Sequence, residues 1–548
     1  MTGSGAADEA PDDGAVPRSA GAVGGAGGDR GSGVAAAVVA AGILISRLLG
    51  LVRQSLMARY LGAGVASDAF IASFKIPNLL QNLFGEGALS ASFIPVYARL
   101  LAAGDEQEAQ HVAGAVAAIL TLVTSILVVL GVLLAPHLIP VIAPGFTGER
   151  RALTVQLTRV LFPGAGIFVL SAWCLGVLNS HRKFFLSYTA PVLWNIAMLG
   201  ALLWFGGRQS QTRLAATLAW ASVVGAGLQF LVQLPSVLRL VGRLRPTLDA
   251  SSAHVRRVIR GFVPVFVSRG VVQVSAYIDQ LLASLLPVGM VALLGYSQIV
   301  YVLPVSLFGM AISAAELPEM SSVLGSDDER SARLRARLDN GLRRIAFFVI
   351  PSAAAFFALG DTIARVLFEH GAFTRTDTMF VWGILAGSGV GLLASTLGRL
   401  YSSTYYALHD TRTPLKFALV RVGLTTALGW LFAFPLPRLL GIDPRWGGAG
   451  LTASAGIAGW VEFTLLRTRL NARIGRTGLA ARYVVRLWVV AVVAAGAAFA
   501  LKLALVHGPR LLTGAAVLVA FAGLYGAGTL ALGVAEARAL VQRVVRRK

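Results

Sequence analysis

Cysteine is nearly absent from this chain. Cys174 stands alone among 548 residues, so no internal disulfide and no thiolate-ligated metal cluster can form. Histidine is sparse and scattered, seven in all, and no HExxH, GxSxG, GxxxxGK or paired-cysteine motif occurs. Nothing in the sequence therefore supports a catalytic centre, and no enzyme activity is expected. Charged residues make up only 14% of the chain, with 26 acidic against 48 basic. The net charge of +22 does not point to nucleic acid, because the basic residues are neither gathered in one domain nor interleaved with aromatics along a stripe. Residues 1–32 lack large apolar groups, a composition that cannot bury enough surface to order itself, and read as a disordered cytoplasmic tail. A signal peptide is not expected, since the apolar run that begins near Val34 is too long and no small-residue cleavage site follows it.

What remains is overwhelmingly apolar. The chain is 56% hydrophobic with a mean hydropathy of +0.72, which places it outside the soluble globular class. About 20 apolar residues span a hydrocarbon core of about 30 Å. About fourteen segments of that kind can be placed, from 34–59 and 68–97 at the start to 483–505 and 511–532 at the end. Arginine clusters such as Arg239, Arg243 and Arg245, or Arg330, Arg333, Arg335 and Arg337, follow even-numbered spans, a bias that puts both termini in the cytoplasm. The expected architecture is an all-α polytopic membrane protein.

A faint internal repeat divides the spans. Ser46-Arg47 returns as Ser268-Arg269, Leu83-Phe84-Gly85 as Leu307-Phe308-Gly309, and Pro95 as Pro318, at a near-constant offset. Six crossings per unit make the copies parallel, with a pathway expected between them. The resulting division is an N-lobe at 33–245, a C-lobe at 246–470, and an appendix at 471–548 holding two more spans and a basic cytoplasmic C-terminus.

Charge inside the spans is the functional signal. An isolated charge at mid-bilayer costs roughly 2.5–3.5 kcal/mol on insertion scales, so such residues should face a wet interior. Arg47 and Arg53 on the first span and Lys75 on the second are candidates to line a cavity that passes an anion; Arg53 has the alternative of snorkelling to the headgroups. Arg269 is placed like Arg47 in the second repeat. Asp68 begins the second span, where an N-cap is the default reading. Glu86, between Gly85 and Gly87, must pair with Lys75 or an arginine, or act as a titratable coupling group. Asp279 is a cation or proton site, or a partner for Arg269. Asp410, Asp279 and Thr426 supply oxygen ligands for a candidate cation site, although Asp410 also suits a helix-terminal turn. Arg399 and Arg421 are accounted for by snorkelling.

The runs SRLLGLVRQ at 46–54 and GAGVASDAFIASFKIPNLLQNLFGEGALSASFIPVY at 62–97 closely resemble the signature of the MurJ/MviN family of lipid II flippases, in the MOP transporter superfamily. LFEHGAFT at 367–374 and ALHDTRTPLK at 407–416 extend the resemblance over most of the chain. It implies fourteen helices and two six-helix lobes around a cationic cavity, with a lipid-tail groove at the last two helices. By the same resemblance, lipid II, an undecaprenyl-diphosphate-linked peptidoglycan precursor, would cross a bacterial cytoplasmic membrane from inner to outer leaflet by alternating access. Arg47, Arg53, Lys75 and Arg269 would then face the diphosphate. No cofactor is implied, with coupling left among Na+, H+ and the membrane potential, and outer-face glycan polymerases are the implied partners beside membrane lipids. Three positions depart from the family's habit: Gln54 replaces an acid, Gln81 or Asn82 an arginine, and Gln298-Ile299 an Asp-Arg pair. A flippase for another polyprenyl-linked glycan, a MATE-like sodium/drug antiporter and a non-transporting scaffold stay open as alternatives.

Overall fold

The computed structural model describes residues 29–243, 247–249, 251–322 and 326–545. Residues 1–28 of the expected tail and the side chains of Glu86 and Arg269 lie outside the described residues; residues 29–32, expected to belong to the tail, are instead the start of the first helix, which continues straight into the apolar run. Every regular element described is helical. Helix α1 (Asp29–Leu61) precedes a crossing in three pieces, α2 (Val65–Ser73), α3 (Lys75–Phe84) and α4 (Glu86–Ala102). Then come α5 (Glu106–Ile142), α6 (Gly148–Ser180), α7 (Phe184–Phe205) and α8 (Gln211–Val241). The C-terminal half opens with α9 (Ala253–Ser284), followed by α10 (Met290–Pro304), a π-helical turn (Val305–Met310) and α11 (Ala311–Ser321). It continues through α12 (Asp327–Phe368), α13 (Arg375–Ala407), α14 (Arg412–Ala433), the short α15 (Pro435–Leu439) and α16 (Gly447–Ile474). Helices α17 (Ala481–Ala504), α18 (Arg510–Ala531) and the amphipathic α19 (Ala535–Val545) end the chain.

Helices are forced on such a sequence, because hydrocarbon offers no partner to a backbone N–H or C=O and each long apolar run must satisfy its own. Eleven helices, counting interrupted ones as single spans, are long and apolar enough to cross a membrane among the described residues. With α1, the broken α2–α4 crossing and α9, the fold is a bundle of about fourteen transmembrane helices. Its outside is apolar: Leu133 on α5, Leu203 on α7, Val493 on α17 and Val519 on α18 are all well exposed, as lipid-facing residues must be.

The interruptions have local causes. Pro77 sits in the first turn of α3, where its missing N–H breaks no helical bond, so the kink falls just before it at Phe74. At Gly85 a Cβ would lie 2.2 Å from the Gln81 carbonyl oxygen, which leaves glycine as the only residue that fits this break. The second copy of the Leu-Phe-Gly triplet, at 307–309, falls in the π-helical turn, so both copies mark a break in the second crossing of their half.

In the N-terminal half α6 packs on α8 and α5, and α7 on α8 and α1. In the C-terminal half α13 is buried between α12 and α16, and α14 covers α16. Helices α13 and α16 meet at Gly391 and Gly456, where a Cβ on Gly391 would come within 2.2 Å of the Gly456 Cα. Small residues let two backbones approach this closely in a membrane interior. Helix α9 bridges the halves, packing on α3, α4 and α5 through Phe262 and Phe266 against Phe84, and on α10, α14 and α16. The α17–α18 pair rests on α12, tied there by Lys502 Nζ to Asp361 Oδ2 at 2.6 Å.

Candidate functional site

Two chambers flank the second crossing. The N-terminal chamber encloses about 1150 Å³ between α1, the α2–α4 crossing, α6, α7 and α8. The C-terminal chamber encloses about 650 Å³ between α9, α10, α13, α14 and α16. Ile71 and Lys75 line both, so the broken second crossing forms their shared wall. Lys75 owes this position to the kink at Phe74, and its carbonyl oxygen accepts from the Tyr277 hydroxyl of α9 at 2.7 Å.

Arg53 points into the N-terminal chamber, its guanidinium carbon 4.3 Å from the centre of the Trp194 ring on α7. The Trp194 indole donates to Ser222 Oγ at 3.0 Å, which fixes the ring that holds the arginine. Gln54, Asn78, Gln81, Asn82, Ser171 and Gln229 supply most of the remaining polar lining. Neither Arg53 nor Lys75 makes an ion pair among the described residues, so this wall presents cationic donors to an anion.

Arg47, expected to border the same cavity, lines neither chamber. It is exposed and directs Nη1 to Ser306 Oγ of the π-helical turn at 3.4 Å. The separation of about 120° and about 9 Å from Arg53 on one helix is enough to turn it away. Conversely, Arg399 and Arg421 line the C-terminal chamber rather than reaching for headgroups, and Arg421 pairs with Glu462 at 3.1 Å. Their depth in the tenth and eleventh spans was the available signal.

Asp279 lies in the C-terminal chamber, with Arg421 and Lys75 as its neighbouring charges. The expected cation site is not assembled. Asp410 is engaged by the backbone and hydroxyl of Thr413 and by Arg473 Nη1 at 2.8 Å, and Thr426 donates to the Val422 carbonyl. Neither residue lines the chamber that holds Asp279. Among the described residues no group of three or more His, Cys, Asp or Glu is placed to hold a metal ion.

Asp68 does not cap its helix. Gly64 is the N-cap of α2 and Ser67 closes the box, accepting from the Gly64 N–H at 2.8 Å. The buried Asp68 carboxylate instead reaches across to the other half, accepting from the backbone N–H of Gly289 at 2.7 Å and of Ala292 at 2.8 Å at the start of α10. A carboxylate at a helix N-terminus meets both free donors and the positive end of the dipole. Arg150 Nη1 on α6 pairs with Asp68 at 3.1 Å, and its Nη2 donates to the carbonyls of Gly145 and Ser284. Nearby, the Ala372 N–H donates to the Arg59 carbonyl at 2.7 Å and the Tyr296 hydroxyl to that of Gly62 at 3.1 Å. These contacts shut the face that carries the α1–α2 loop. Sequence spacing gave no sign of the Arg150 partnership, because 82 residues separate the pair.

The sequence profile of the family described as lipid II flippase MurJ matches residues 57–519. The chain is 33% identical to a probable lipid II flippase MurJ of Rhizobium tropici over 78% of its length and 79% of the relative's. It is equally 33% identical to the lipid II flippase MurJ of Burkholderia cenocepacia, over 78% and 82%. Among solved structures, a lipid II flippase MurJ in an inward closed conformation superposes with a TM-score of 0.71 at 22% identity, covering 90% of this chain and 97% of that one. An inward-facing MATE-family multidrug transporter of the MOP superfamily shares the fold at a TM-score of 0.61 and 16% identity, covering 78% and 95%. The profile match over most of the chain, the two relatives and the shared fold together establish that this multi-pass membrane protein belongs to the MurJ family.

Proposed function

We propose that this chain carries lipid II across a bacterial cytoplasmic membrane, from the inner to the outer leaflet, by alternating access. One observation carries the reading: a chamber of about 1150 Å³ at membrane depth holds Arg53 and Lys75 with no ion-paired carboxylate among its described lining. A diphosphate headgroup is the kind of anion those donors suit, and its polyprenyl tail can stay in lipid while the headgroup crosses. The arginine-rich loops face the cytoplasm in this reading, as do both termini. The face shut by Asp68 is then the outer one, and the headgroup enters from the cytoplasmic side. The two halves act as lobes that rock about the shared wall at Ile71 and Lys75, and the α17–α18 pair borders the tail. Because Asp279, Asp410 and Thr426 do not converge, no step is routed through a bound cation; the membrane potential acting on the charged headgroup is the coupling we favour. Released lipid II would serve glycan polymerases on the outer face.

Rescue is the test. A bacterium depleted of its own flippase should recover growth and shape when this chain is expressed, and Lys75→Gln should abolish recovery at equal expression. Failure of the wild-type chain beside rescue by an equally expressed relative would overturn the assignment. The neutral Gln54 and Gln81 in the chamber favour, as a second reading, another polyprenyl-linked glycan. Native mass spectra with competing polyprenyl diphosphates separate the two.

A further inference from the structure

Lys75 stands in the wall between the two chambers and lines both. On the side of the C-terminal chamber Asp279 of α9 is its neighbouring charge. Helix α9 is held at this level by the Tyr277 hydroxyl, which donates to the Lys75 carbonyl at 2.7 Å. The Asp279 side chain is open to the C-terminal chamber and, like Lys75, makes no ion pair among the described residues. Of the two cations beside it, Arg421 is already held by Glu462 at 3.1 Å, which leaves Lys75. An acid and a base thus face each other across one chamber at membrane depth, close enough to interact and not in contact.

Opposite charges left apart in so dry a place attract strongly, and each is costly alone. A lysine carries a compact charge on a flexible four-carbon stem, so its ammonium can swing into either chamber while its backbone stays pinned to Tyr277. The swing answers a difficulty of transport: a cation that holds a diphosphate by charge-assisted hydrogen bonds must also let it go. We infer that Asp279 is the counter-ion that takes Lys75 back as the anion leaves. With the site occupied, the ammonium turns to the N-terminal chamber; with the site empty, it turns to Asp279. This rests on the polyprenyl-diphosphate reading above and adds what ends the bound state. Asp279 is then a positioning residue that acts on the substrate only through Lys75. Because it competes for that lysine, it lowers the apparent affinity for the headgroup and speeds release.

The experiment measures lipid II binding by the full-length protein in lipid nanodiscs and lipid II flipping in proteoliposomes, with thermal midpoints to identify folded variants. Asp279→Asn should tighten binding on the order of tenfold and lower the flipping rate at saturating lipid II, so that KM and kcat fall together. Asp279→Glu, which keeps the charge, should restore both. Lys75→Gln should bind more weakly but measurably, since Arg53 still faces the headgroup, and adding Asp279→Asn to it should change affinity no further. The inference is overturned if folded Asp279→Asn protein binds no more tightly than the wild type, or flips as fast. It is also overturned if the tightening persists beside Lys75→Gln, which would mean plain repulsion of the headgroup, or vanishes when choline replaces Na+, which would make Asp279 a cation ligand. Wild-type protein that does not bind lipid II would overturn the glycolipid reading itself, a distinguishable result.

Discussion

Asp68 makes two of the bonds that shut the face carrying the α1–α2 loop, and Asp68→Asn tests what they contribute. Asp68 accepts from Gly289 and Ala292 across the gap between the halves, at 2.7 and 2.8 Å, whereas its pair with Arg150 stays inside the N-terminal half. Opening this face breaks the first two bonds and spares the third. A hydrogen bond to a charged group contributes about 1.5–3 kcal/mol, so the two Asp68 bonds contribute about 3–6 kcal/mol to holding the face shut. An asparagine keeps one acceptor oxygen but loses the charge, removing about 3 kcal/mol and raising the open-to-closed ratio on the order of a hundredfold. Spin labels at Gln211 and Arg445, exposed on opposite halves beside a cleft at this face, report the gap by double electron–electron resonance. The wild type should give one short distance and the variant a second, longer population. An unchanged distribution in folded Asp68→Asn protein would refute the latch.

Other perturbations follow from the same geometry. Trp194→Leu removes the ring that holds Arg53, an interaction of about 0.5–2 kcal/mol, so lipid II affinity measured by native mass spectrometry should fall roughly 2- to 30-fold. Gly391→Ala forces a Cβ onto Gly456 and should cost about 1–3 kcal/mol, read as a lower thermal midpoint in detergent; an unchanged midpoint would mean α13 and α16 part freely. Asp410 is held below the ordinary carboxylate range by the backbone and hydroxyl of Thr413 and by Arg473. Its folded value is depressed, so its stabilisation is present above the ordinary value of about 4 and is lost as pH falls through the folded value. The midpoint gap between wild type and Asp410→Asn should accordingly be full at neutral pH and close in acid; a gap that widens in acid would contradict the assignment.

The membrane-spanning helices were legible because their determinant is local. A run such as 112–139 must satisfy its own backbone wherever it sits in hydrocarbon, and it lies within α5. The Leu-Phe-Gly triplets were legible as a repeat but not as breaks, although the cause at Gly85 is local, a carbonyl only four residues away. Arg53 and Lys75, singled out by their charge inside the spans, line the N-terminal chamber, but charge alone does not say which way each side chain turns. Arg47, as cationic as Arg53, is turned outward onto Ser306, while Arg399 and Arg421 are turned in.

By itself, then, the sequence determined that the chain is a polytopic helical membrane protein with costly charge inside its spans, because length, hydropathy and desolvation act on each segment alone. Only the tertiary structure decided that Asp68 latches onto the start of α10 and that Asp410 is spent on Arg473 and not on a cation site. It also decided that Trp194 stacks on Arg53 and that the second crossing walls off two unequal chambers. Those outcomes depend on which groups from distant segments arrive within about 3 Å of one another, and no spacing along the chain encodes that arrival.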